Sequence, residues 1–159
     1  MKGKTVKESA TITTQIMSPQ DVNLAGNVHG GVIMRLIDVV GGAVATRHAR
    51  GNCVTASIDR LDFHSPVYPG DMVTFKASLN LVGKTSMEVG VKVITENLIT
   101  GNTYHTASAY LTYVALDKNR KPREVAPLIL ETDEERRRNR DAIQRRKLRL
   151  RERTEIQET

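Results

Sequence analysis

Asp38 stands between Ile37 and Val39 inside a largely apolar stretch, VIMRLIDVVGGAVATRHA, at 32–49. A carboxylate taken out of water needs a partner or gives up its charge. Two readings stand side by side. Asp38 faces a wet edge or pairs with Arg35, one turn earlier, or it acts as a general base or nucleophile. Just upstream, GNVHGG at 26–31 ends where the apolar stretch begins. The start of a helix offers free N–H groups and the positive end of a dipole. Gly30 and Gly31 there let a ligand approach the backbone, which suits an oxyanion, although Gly-Gly before a helix is also an ordinary turn. Asn27 can orient a water or a carbonyl, or simply form a turn. His29 reads more readily as a structural hydrogen-bond partner than as a base.

Other chemistries find no constellation. His48, His64 and His105 have no metal-ligand spacing, and Cys53 is the single cysteine. That rules out a disulfide within the chain and a cysteine-only metal site, and it suits a reducing compartment. No serine sits in a nucleophile elbow and no Walker-type loop is present.

The elements that must hold these residues follow from hydrophobic period. Residues 8–17 alternate (Ala10, Ile12, Thr14, Ile16) as a half-buried strand does. A long loop, 18–31, leads to a helix over 32–49, with Ile33, Leu36, Ile37, Val40 and Val44 at three- and four-residue steps. It is apolar nearly all round, so it is predicted to be buried. Its small residues Gly41, Gly42 and Ala45 are expected to admit the backbone of a partner subunit. Strand-like runs follow at 53–63, 71–82, 85–98 and 103–116, separated by SPVYPGD, Gly83-Lys84 and Thr100-Gly101-Asn102. One sheet with a helix on its face is α+β. Residues 131–153 read as an exposed helix with few apolar anchors. The expected division is a domain at 8–118 followed by a linker and charged helical tail at 119–159.

A chain of 159 residues suffices for one domain, and with aromatics at 4% and no Trp its core must be aliphatic. The net charge of +6 belongs mostly to the tail, because residues 1–117 are close to neutral. Such an appendage suits nucleic acid, an anionic membrane or a phosphorylated ligand, and charge alone does not choose. No apolar run approaches the ~18 residues that cross a bilayer, and MKGKTVKESATITTQ lacks the apolar stretch of a secretory signal. A cytoplasmic protein is expected.

Taken in order, GNVHGGVIMRLIDVVGGAVATRH, VTASIDRLDFHSPVYPGD and GKTSMEVGVKV resemble the hotdog acyl-CoA thioesterases. The likeness is to the branch of brain-type acyl-CoA hydrolase and its bacterial single-hotdog relatives, and it runs from about Ser9 into the tail. It implies a hotdog fold, an antiparallel five-stranded sheet wrapped around a central helix, with a basic C-terminal helix added. It implies hydrolysis of acyl-CoA to a free acid and CoA, with no metal and no cofactor beyond the CoA of the substrate. The family's catalytic Asn and Asp are matched to Asn27 and Asp38, and the amide of Gly31, with Gly30 close by, to the oxyanion donor. A homo-oligomer, dimer or trimer of dimers, would share each site across two subunits, with neither nucleic acid nor membrane as partner. CoA phosphates call for a basic site, and Gly83, Lys84, Thr85 and Ser86 offer a cation and hydroxyls at one turn, with Arg60 and Arg47 as weaker candidates. The same turn is also ordinary hairpin chemistry. The competing function is a non-catalytic acyl-CoA-sensing module, for which the residues before the first strand are too few to form a helix-turn-helix. A hotdog dehydratase, built on His29, is a third reading.

Overall fold

The computed structural model describes residues 1–158. In chain order these form β1 (Lys4–Thr5), β2 (Thr11–Ile16), α1 (Gly30–Ala49), β3 (Cys53–Phe63), β4 (Met72–Val82), β5 (Ser86–Glu96), β6 (Thr103–Ala115), β7 (Leu128–Ile129) and α2 (Asp133–Gln157). β2, β4, β5, β6 and β3 make one antiparallel sheet in that order, which leaves β3 as an edge. Alternation along the central strands sends one set of side chains inward. Val73, Phe75, Ala77 and Leu79 of β4, Val89, Val91 and Val93 of β5, and Leu111 and Tyr113 of β6 meet Ile33, Ile37, Val40 and Val44 of α1. This is the α+β arrangement that the sequence predicts.

Two features depart from expectation, and one between them, an α1 left partly uncovered by its own sheet, agrees with a helix expected to meet a partner subunit. Gly41 and Ala45 face this chain's own sheet rather than a partner. A Cβ at Gly41 would lie 2.5 Å from the Tyr113 hydroxyl, so the missing side chain is the room that Tyr113 needs. Gly42 borders the same ring, and Ala45 is buried. α1 itself is covered on one flank only. Met34 and Val39 are exposed, and the adjoining edge strand exposes Val54, Ile58 and Phe63. Ile58 and Phe63, opposite core residues Leu111 and Ala107, lie on the same face as α1, whereas Val54, next to Thr55, lies on the other face. Nor is α2 a solvated tail. Ala142 is fully buried, Asn139 donates to the Asn80 carbonyl at 2.9 Å, and Arg149 pairs with Asp59. Arg145 pairs with buried Glu88 at 2.7 Å and stacks 3.6 Å above the Tyr110 ring. Polar anchors dock this helix where apolar ones are few. No described helix is long and apolar enough to cross a membrane.

Between β6 and α2 the chain returns over the end of α1. Arg123 donates to the Ala49 carbonyl at 2.6 Å and so satisfies an acceptor at the helix C-terminus. β7 then pairs in parallel with β1.

Candidate active site

α1 carries Asp38 to the margin between its buried and open flanks, where it is half-buried. Asp38 Oδ1 accepts from Thr55 Oγ1 at 2.7 Å and from the Tyr113 hydroxyl at 3.0 Å. Both donors engage the same oxygen, so Oδ2 remains available to a ligand. Burial, reinforced by the Asp38 charge, pushes the Tyr113 phenol well above its ordinary range, which keeps it a donor. Among the described residues no ion pair joins Asp38 to Arg35. Thr55 lies opposite Tyr113, and Tyr113 opposite Met87, so Asp38 sits at the end of the sheet that carries the Gly83–Ser86 turn.

The loop before α1 builds a second group of residues. A pocket of about 280 Å³ is lined by Asn23, Asn27, Gly30, Ile33 and Phe63, among others. Gly26, at φ +84°, closes a tight turn that only glycine adopts without strain. Asn23 Oδ1 accepts from the amides of Ala25 at 3.0 Å and Asn27 at 3.1 Å, which fixes its carboxamide and leaves the NH2 free to donate. The Val28 amide donates to the Val67 carbonyl at 2.7 Å and the His29 amide to the Asp21 carbonyl at 2.8 Å, anchoring the loop at both sides. The His29 side chain makes no capping bond. A Cβ at Gly30 would touch the Phe63 ring at 3.5 Å, whereas one at Gly31 would meet nothing within 4 Å.

Within one chain the two groups stay apart. Asp38 does not line the pocket. It lies two turns beyond Gly31, a rise of roughly 10 Å along the helix. The structure therefore brings Asn23, Asn27 and Gly30 together around the pocket, which Gly31 does not line, and leaves Asp38 with Thr55 and Tyr113. Sequence reasoning missed Asn23, Thr55 and Tyr113. Asn23 hides among turn-forming residues, and the other two meet Asp38 only through strand register.

The Gly83–Ser86 turn is compact. The Gly83 amide donates to the Ser86 carbonyl at 2.8 Å, so that N–H is already spent. Lys84 is exposed and loosely paired with Glu124 at 3.5 Å. Arg60 does not join the turn. It is bonded to Asp62 at 2.6 Å and lies opposite Tyr110, whereas Ser86 lies opposite Val114, four residues farther along β6. That is about 13 Å at strand rise, besides the width of the intervening strand. Arg47 is likewise committed, donating to the carbonyl of Ala10 at 2.9 Å and the hydroxyl of Thr11 at 3.0 Å. No cluster of metal-binding side chains occurs among the described residues.

Residues 25–101 match the model of the thioesterase superfamily. An uncharacterised acyl-CoA thioester hydrolase of Bacillus subtilis is 42% identical over 87% of this chain and 81% of its own length. The mouse cytosolic acyl coenzyme A thioester hydrolase is 38% identical over 84% of this chain, which spans only 36% of that longer protein. Among solved structures, the acyl-CoA hydrolase of Staphylococcus aureus, in complex with butyryl-CoA and CoA, superposes with a TM-score of 0.90 at 34% identity, covering 98% of this chain and 94% of its own. That enzyme is also solved with one asparagine, one aspartate or one threonine replaced by alanine. The aspartate follows the asparagine by fifteen positions, and the threonine follows the aspartate by seventeen. Other matching structures are described as hexameric thioesterases. The chain belongs to the acyl-CoA thioester hydrolases of the thioesterase superfamily.

Proposed function

We propose that this protein hydrolyses acyl-CoA thioesters at sites assembled from two copies of the chain. The observation that carries the reading is the division of the site. The Asp38 group lies behind the Thr55 end of β3, and the pocket group lies behind the Phe63 end. β3 is a free edge with an apolar margin. Antiparallel pairing of two β3 edges about a two-fold axis near Ile58 sets the Phe63 end of one copy beside the Thr55 end of the other. Each carboxylate then faces a partner's pocket, and Met34 and Val39 leave water. Three such dimers would make six copies, which suits the hexameric state of some relatives.

In this site Asp38 Oδ2 takes a proton from water as the hydroxyl adds to the thioester carbonyl, or attacks that carbon itself. The amide of Gly31 receives the oxyanion. Collapse breaks the C–S bond. On the first route the thiolate leaves as CoA with the proton that Asp38 took. On the second it leaves by taking a proton from water, after which hydroxide or water cleaves the acyl–Asp38 anhydride to free acid and restores the carboxylate. The spacing in the Staphylococcus aureus variants favours Asn23, fifteen residues before Asp38, over Asn27 as the side-chain amide that orients the thioester or water. The same spacing selects Thr55, seventeen residues after Asp38. The fixed carboxamide of Asn23 supports that choice. Gly83–Ser86, with Lys84, holds CoA phosphate.

Release of free thiol from a panel of acyl-CoAs tests the activity. Turnover is expected from the parent, together with a loss of at least about a hundredfold in Asp38→Asn while the oligomer stays folded. A protein that binds CoA and releases none would instead be the sensing module.

A further inference from the structure

We infer that α2 is part of the substrate site, and that Arg146 is a ligand of a CoA phosphate at the Gly83–Ser86 turn. The inference rests on the acyl-CoA reading above. It starts from a charge left over. Three arginines of α2 are half-buried: Arg145, Arg146 and Arg149. Arg145 is paired with Glu88 and Arg149 with Asp59. Arg146 has no acidic partner among the described residues. A guanidinium does not shed its proton, so partial burial without an anion is unfavourable and persists only where something else accepts the charge.

The position of the group says what that is. A Cβ on Gly83 would lie 2.9 Å from Arg146 Nη1 and 3.4 Å from Ser86 Oγ. Gly83 is therefore the gap through which the guanidinium reaches the turn, and the guanidinium and the Ser86 hydroxyl converge on one spot. Lys84 stands beside them, exposed, and its link to Glu124 is of the kind that contributes little. Two cations and a hydroxyl around a compact turn suit a phosphate, to which arginine presents a planar pair of donors. The neighbouring anchors hold the cation in place. Arg145 ties one side of the helix to Glu88, and Asn139 ties the preceding turns to the Asn80 carbonyl.

Steady-state kinetics with butyryl-CoA, butyryl-dephospho-CoA and butyryl-pantetheine at low salt test the assignment. Arg146→Gln should raise KM for butyryl-CoA about tenfold and leave kcat within about twofold. KM for butyryl-pantetheine, which has no phosphate, should not move. Arg146→Lys should recover most of the lost affinity, and high salt should shrink the difference. If dephospho-CoA shows the same increase as CoA, Arg146 holds the diphosphate; if the increase vanishes there, it holds the 3′-phosphate. An unchanged KM for butyryl-CoA, an equal rise for butyryl-pantetheine, or an equal effect of Lys147→Gln on the exposed neighbouring position would overturn the assignment. Absence of turnover by the parent on any thioester would defeat the acyl-CoA reading itself. Calorimetric titration with CoA would then decide on Arg146, since binding about tenfold weaker in Arg146→Gln sustains it and equal binding removes it.

Discussion

At the scale of single residues, the carboxylate of Asp38 has one oxygen held by two side-chain donors and, in the proposed reading, one open to chemistry. Thr55 and Tyr113 hold Oδ1 from two sides, so the orientation of Oδ2 is set before substrate arrives. The two asparagines of the preceding loop can be separated by the same kind of argument. Asn23 has its carbonyl oxygen fixed by two backbone amides and its NH2 free, whereas Asn27 enters that network through its backbone. Asn23→Ala should lower kcat by about a hundredfold, the usual cost of one oriented donor, while Asn27→Ala stays within a few-fold of the parent. Measured kcat for the two variants, with their folding checked by circular dichroism, decides between them; the reverse order would return the catalytic role to Asn27. Asp38 was legible in the sequence because a carboxylate stands out in an apolar run. Asn23 was not, because a turn-rich loop gives every asparagine a structural excuse.

At the scale of elements, α2 shows how a helix with one buried residue can still be fixed. Glu88 is fully enclosed, and Arg145 and Asn80 satisfy it, with Asn80 Nδ2 donating to Glu88 Oε1 at 3.1 Å. Removing one member leaves the others desolvated without partners. Glu88→Ala should therefore cost about 3 kcal/mol in urea unfolding and make α2 protease-sensitive, whereas Glu134→Ala, on the exposed face, should leave the unfolding midpoint almost unmoved. Equal small losses would show that apolar contact alone docks the helix. β4, β5, β6 and α1 were readable because their periods, two and close to 3.6, follow from burying one face. β2 forms near its expected place, but Ile12 and Ile16 of the alternation expected to be half-buried are exposed. The two-residue strands β1 and β7 have no period to read, and the docking of α2 was hidden because its anchors are the charged residues that usually mark a solvated face. Gly41 misled for a related reason. A small residue on a helix signals a close neighbour, but only the register of β6 shows that the neighbour is Tyr113 of the same chain.

At the scale of the whole molecule, the proposed division of the site would make activity a property of pairs. If Asn23 acts on the carboxylate of the other subunit, Asn23→Ala and Asp38→Asn oligomers should each be nearly inactive, and each should retain one intact half of every site. Co-refolding equal amounts places both lesions in one site of a mixed dimer and leaves its second site whole. Random pairing makes about half the dimers mixed, each with one good site of two, so activity should recover to roughly a quarter of the parent, provided the sites act independently. The expectation comes from the geometry of one chain. Asp38 and the pocket lie about two helical turns apart along α1, the β3 edge between them is unpaired, and the exposed Met34, Val39, Ile58 and Phe63 border that edge. Exchange is verified independently, by mass spectrometry of one isotopically labelled parent. Mixtures that exchange fully and remain as inactive as their parents would place both residues in one subunit's site, and the loop before α1 would then have to move toward Asp38 for catalysis.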